Sequence, residues 1–226
     1  DIRNEVKGIF DDISQNGNIE QSIEFLNSFW FALPTESLAF ANKFISEIPN
    51  KEIDWANETF EESKGEPGDS SLVSLLNSFR YYGEVEFKMS FDLLLKYLEK
   101  DESSLSYVLR SLVGRYNFKP NDWRYGYYIQ AYILDTLISL MDSGRSYLFT
   151  RLFIFVASAF LKVEHREHQW SRGGTINIIT FRLSPDNYLL PLREKLIFNL
   201  AGLINAAEYK RYIIELFREY VNRIRC

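Results

Sequence analysis

Two histidines three residues apart, His165 and His168, stand among Glu164, Glu167, Trp170 and Arg172. Imidazoles and carboxylates this close together are the ingredients of a zinc site or of general acid–base catalysis. The spacing argues against a metal. On a strand successive side chains alternate, so His165 and His168 face opposite ways. On a helix they would share a face, but the His-Glu-x-x-His pattern that supplies ligands and base together is missing. No catalytic residue, metal site or cofactor is therefore expected, and this piece of chain is not expected to be an enzyme. The reading that remains is a partner contact built from His165, His168, Trp170 and Arg172. A helical enzyme working through the region 164–172 is its rival.

Other chemistries lack their signatures. The chain has no G-x-x-x-x-G-K-S/T phosphate loop, no dinucleotide fingerprint and no G-x-S-x-G elbow. Its single cysteine, Cys226, is the last residue and lacks the packed surroundings that activate a thiol. Paired carboxylates at Asp11-Asp12 and Glu61-Glu62 lie beside turns or on polar faces and read as solvated surface.

The histidines fall where the apolar period drops to two. Thr175 to Phe181 is rich in strand formers and lies between Gly173-Gly174 and Ser184-Pro185. With Lys162 to Trp170 as its partner, it predicts a β-hairpin over about 162–183. A lone hairpin is marginal in water, so it must pack on helices.

Helical spacing dominates elsewhere. Ile2, Val6, Ile9, Phe10 and Ile13 form one face, closed by Gln15-Asn16-Gly17. Asn18 with Gln21 predicts a capping box opening a helix through Phe31. Pro34 opens the next helix, and Pro49 ends it because proline lacks an amide hydrogen. A short helix is expected over Asp54 to Ser63, then the surface loop Lys64 to Asp69. Stripes follow at Leu72, Leu75, Leu76 and Phe79, at Phe91, Leu94, Leu95 and Leu98, and at Leu105, Val108, Leu109 and Leu112. Asp69-Ser-Ser-Leu72 recurs 33 residues later as Glu102-Ser-Ser-Leu105. Helical repeats of helix–turn–helix type have periods of about 34 residues. Tyr125 to Asp142 reads as a helix buried on two sides. Ser146 to Leu161, apolar on most faces, reads as a central one. Leu192 to Ile204 and Ala206 to Arg225 are amphipathic. The expected fold is mainly α: an irregular α-solenoid, a helical-repeat-like array, with one inserted hairpin.

Net charge is −5, which disfavours a nonspecific nucleic-acid binder. The basic residues near the end, Lys210, Arg211, Arg218, Arg223 and Arg225, alternate with Glu208, Glu215 and Glu219 and read as a solvated helix face. No apolar run is long enough to span a bilayer. The lone cysteine permits no internal disulfide and suits a reducing compartment. A start at Asp1 and a stop inside a helical pattern suggest one helical domain, 1–226, cut from a longer chain. A subdivision at the 64–69 loop is the alternative.

Several short motifs together give a resemblance. Phe160-Leu161-Lys162-Val163-Glu164, Arg172-Gly173, Thr175-Ile176, Phe181-Arg182-Leu183 and Leu192-Arg193-Glu194-Lys195 are similar to a segment of large bacterial STAND-type P-loop NTPases, signal-transduction ATPases with numerous domains. Phe29-Trp30-Phe31-Ala32-Leu33-Pro34-Thr35-Glu36 resembles the start of their helical region. The resemblance implies a cytoplasmic, noncatalytic scaffold, sensor or regulatory module. Its partners would be a protein or other domains of its own chain, and the parent would bind ATP and could oligomerise. No membrane partner is implied. A nucleic-acid-associated helical domain is a further alternative.

Overall fold

The computed structural model describes residues 2–55, 60, 71–78, 83–113, 123–162, 165–170, 176–181 and 190–225. The chain is mainly helical, and it divides into two compact units, Asp1–Ser111 and Leu112–Cys226. The 64–69 loop lies outside the described residues.

The first unit contains α1 (Ile2–Asn16), α2 (Ile19–Phe29), α3 (Pro34–Glu47), α4 (Ser71–Ser78), α5 (Glu84–Lys100), a 3-10 turn (Glu102–Ser104) and the start of α6 (Leu105–Val113). Helices α1 and α2 lie against α3, α3 packs on α5, and α4 also packs on α5. Apolar residues spaced three and four apart put Phe10, Leu26, Leu38, Ala41 and Ile45 into this core. From α4 and α5 come Leu72, Leu76, Phe91, Leu94 and Leu98. The ring of Phe10 meets Phe25 edge-on at 4.8 Å and lies 4.6 Å from Phe40, joining three helices at one point.

Helix starts follow local chemistry. The Asn18 side chain accepts from the Gln21 amide at 2.9 Å, and the Gln21 side chain accepts from the Asn18 amide at 3.1 Å. Both donors would otherwise be unsatisfied at a helix N-terminus. The turn before them needs a glycine for space, because a Cβ on Gly17 would sit 2.6 Å from the Ile13 carbonyl oxygen. Pro34 occupies the first turn of α3, where its missing N–H costs nothing. It also disfavours helical backbone at Leu33, which has φ −134° and ψ 67°. Helix α2 accordingly stops at Phe29, two residues before the expected Phe31, and Trp30 to Ala32 form a turn. Asp54 and Trp55 are not helical, and most of the short helix expected over 54–63 falls outside the described residues.

The second unit contains α7 (Trp123–Leu140), α8 (Ser146–Lys162), two short strands, α9 (Leu190–Gly202), a 3-10 turn (Leu203–Asn205) and α10 (Ala207–Arg225). Helix α8 contacts α7, α9 and α10. Its residues Leu148 to Ser158 are buried without a break, as befits a helix apolar on nearly every side. Strands β1 (His165–Trp170) and β2 (Ile176–Phe181) pair antiparallel, in register from His165 opposite Phe181 to Trp170 opposite Ile176. Among the described residues, no helix is long and apolar enough to cross a membrane.

Candidate functional site

The residues singled out by their chemistry lie in and just after β1. His165 pairs with Phe181, His168 with Ile178 and Trp170 with Ile176. The side chains of β1, and the whole of Arg172, lie outside the described residues. The backbone thus brings three of the four residues onto one six-residue strand, with the two histidines an odd number of steps apart. Among the described residues, no three of His, Cys, Asp and Glu converge on a point that could hold a metal ion.

Two buried charged groups, neither of them a predicted site residue, organise the units from inside. In the first unit Glu102 is fully buried at the junction of α5 and α6. One of its oxygens accepts from the Ile53 backbone N–H at 2.9 Å and from the Trp55 indole N–H at 2.8 Å. Backbone bonds lie alongside: the Lys51 N–H donates to the Lys100 carbonyl at 2.7 Å, and the Glu102 N–H donates to the Lys51 carbonyl at 3.0 Å. Asp101 caps the 3-10 turn, accepting from the Ser103 amide at 3.1 Å and the Ser103 hydroxyl at 2.5 Å. The segment after α3 is therefore strapped to the α5–α6 junction. Donors aimed at a carboxylate stabilise its charged form, and this arrangement positions backbone rather than presenting a base to solvent.

In the second unit Arg151 sits in the middle of α8, with only 3% of its surface exposed. It forms an ion pair with Glu208 in the first turn of α10. Its guanidinium donates to the Tyr147 carbonyl at 3.4 Å and lies 6.0 Å from the centre of the Tyr209 ring. Burial pushes the Tyr209 hydroxyl up to about 12, opposed by the Arg151 charge and reinforced by Glu208 and its hydrogen bond. Farther along the same two helices, the Tyr212 hydroxyl donates to the Ser158 hydroxyl at 3.1 Å. A buried arginine is tolerated when it is paired and hydrogen-bonded, and this one ties α10 to α8.

At the surface the polar groups give way to exposed apolar ones. Phe31, in the turn between α2 and α3, is 76% exposed, and Phe198 on α9 is 80% exposed. A cleft of about 250 Å³ opens between the end of α1, the start of α2 and the end of α3, lined by Ile13, Gly17, Ser22, Phe44 and Pro49 among others. On α10 a shallow concavity of about 380 Å³ runs along Lys210, Arg211, Ile214, Glu215 and Arg218. Arg151 carried a signal in the sequence, as a single charge inside an otherwise apolar helix. Glu102 also had one, as the polar residue opening a repeated Ser-Ser-Leu motif. Their partners had none, because pairing across 57 and 49 residues leaves no local period. No family model, curated protein or solved structure matches this chain.

Proposed function

We propose that residues 1–226 are a noncatalytic helical scaffold or sensor, the regulatory module of a larger, cytoplasmic bacterial P-loop NTPase of the STAND class, acting through protein contacts. Phe31 carries this reading. It belongs to the segment Phe29 to Glu36, which resembles the start of the STAND helical region, and it is held 76% exposed on a turn fixed by Pro34. Its ring meets Trp30 edge-on at 5.9 Å yet stays largely exposed, and aromatic anchors dominate protein interfaces. The buried charges support the same reading, since Glu102 and Arg151 hold helices together rather than face a substrate.

The finer architecture is part of the proposal. The 33-residue recurrence of Ser-Ser-Leu supports helix pairs stacked as an irregular solenoid, and buried Leu72 and Leu105 occupy equivalent places in it. The region 162–183 is an inserted hairpin that offers His165, His168, Trp170 and Arg172 to a partner. The test begins with the parent open reading frame. A phosphate-loop motif upstream is expected there, and a complete gene ending near Cys226 without one would sink the reading. In the parent protein, Phe31→Ser should change the ATP turnover elicited by the physiological trigger while leaving the fold intact.

A further inference from the structure

In sequence the charges of α10 alternate, but on the helix Lys210, Arg211 and Arg218 separate from the acids. At about 100° per residue, Glu208, Glu215 and Glu219 fall along one side. Lys210, Arg211 and Arg218 fall within an arc of about 120° that also holds Ile214, Phe217 and Val221 and contains no acid. The residues that bury α10 in its unit, Tyr209, Ile213, Leu216 and Tyr220, lie on the far side. Lys210, Arg211 and Arg218 are exposed, Val221 is 41% exposed, and Ile214 and Phe217 are half-buried. Arg211 leans out of this arc, to Glu215 at 3.1 Å.

We propose that this outer face of α10 docks an acidic amphipathic helix of a protein partner. The proposal rests on the interaction-module reading above and names the surface and the partner chemistry. Ile214, Phe217 and Val221 follow an i, i+3, i+7 spacing, which is the seam one helix offers another. Arg211 and Arg218 take the e positions along one edge of that seam, where charges of a helix pair select the partner, and Lys210 takes a d position at its start, so the complement is apolar at its centre and acidic along the facing edge. A phosphate backbone would leave the apolar seam unmatched, and the chain's net charge of −5 opposes it. Half-burial of Ile214 and Phe217 also prevents the helix from sinking into a lipid surface, as a membrane-binding helix must.

The test uses the full 226-residue chain and a fluorescent synthetic helix with leucine at heptad positions a and d and glutamate at e and g. Fluorescence anisotropy should report saturable binding. The affinity should fall at least about tenfold when ionic strength rises from about 0.1 M to about 1 M, where the Debye length shrinks from about 10 Å to about 3 Å. The double change Lys210→Glu with Arg218→Glu should weaken binding at least about tenfold, and Val221→Asp by a similar factor. Glu215→Lys frees Arg211 and should tighten binding about threefold, a gain that a misfolded variant cannot mimic. Analogues with lysine at e and g, or serine at a and d, should not saturate. The proposal is overturned by absent binding, by equal affinity for the lysine analogue, or by preference for a DNA duplex or anionic vesicles over the peptide. Any of these leaves the parent protein's ATP-turnover test standing, so the two failures are distinguishable.

Discussion

A carboxylate shut away from water keeps a distant segment in place, and that makes Glu102 the most sensitive single residue of the first unit. Replacing it with alanine leaves the Ile53 amide and the Trp55 indole N–H without their acceptor. We expect Glu102→Ala to cost about 2–3 kcal/mol in urea unfolding, and Glu102→Gln, which keeps a carbonyl acceptor, less than half of that. Arg151 should behave asymmetrically. Glu208→Ala removes the carboxylate that pairs the buried guanidinium and should destabilise by about 2 kcal/mol or more, whereas Arg151→Met removes the charge and should be close to neutral. Tyr209 adds a pH signature. Its folded hydroxyl is raised to about 12 from the ordinary 10.0, so its contribution is complete below pH 10 and lost as pH rises toward 12. Tyr220 is shifted the same way, by burial first, opposed by Arg193 and aided by Glu194. The urea midpoint should hold to about pH 10 and then fall, and Tyr209→Phe should flatten part of that fall. If Tyr209→Phe leaves the alkaline profile unchanged, this account of the α8–α10 contact is wrong.

At the scale of elements, helix ends were the most legible feature of the sequence because capping is local. Asn18 and Gln21 announce a capping box from residue types alone, and both bonds are present. Asn18→Ala should lower stability by about 1 kcal/mol in thermal unfolding. Gly17→Ala should cost at least as much, since the added carbon meets the Ile13 carbonyl oxygen at 2.6 Å. The end of α2 was less legible. The apolar pattern continues through Phe31, yet Pro34 acts one residue ahead of itself and bends the chain earlier. Helix α10 shows a different limit: Lys210, Arg211 and Arg218 are exposed, as a solvated face requires, but linear order hides that the helix sets these three apart from the acids. The information was in the sequence, but only once the element's geometry was applied to it.

For the whole molecule, the mainly helical class followed from the dominance of three-and-four spacing over two. The division into units 1–111 and 112–226 did not, because it reflects which helices contact one another and falls within a helical apolar stripe, ahead of the turn-forming Lys119-Pro120-Asn121-Asp122. The candidate contact residues were legible as a cluster of unusual types, and the backbone places His165, His168 and Trp170 on one strand. Phe31 was legible only as part of a resemblance, since exposure is a property of the folded surface. The central claim, that this chain regulates a larger NTPase through protein contact, is tested most directly in the intact parent protein. ATP turnover should be measured with and without residues 1–226, under conditions where the intact protein is at rest. The account predicts that removal changes the resting turnover by about tenfold or more, a shift of about 1.4 kcal/mol in the balance between resting and active states. Unchanged turnover, or a parent chain that neither binds nor hydrolyses ATP, would contradict it.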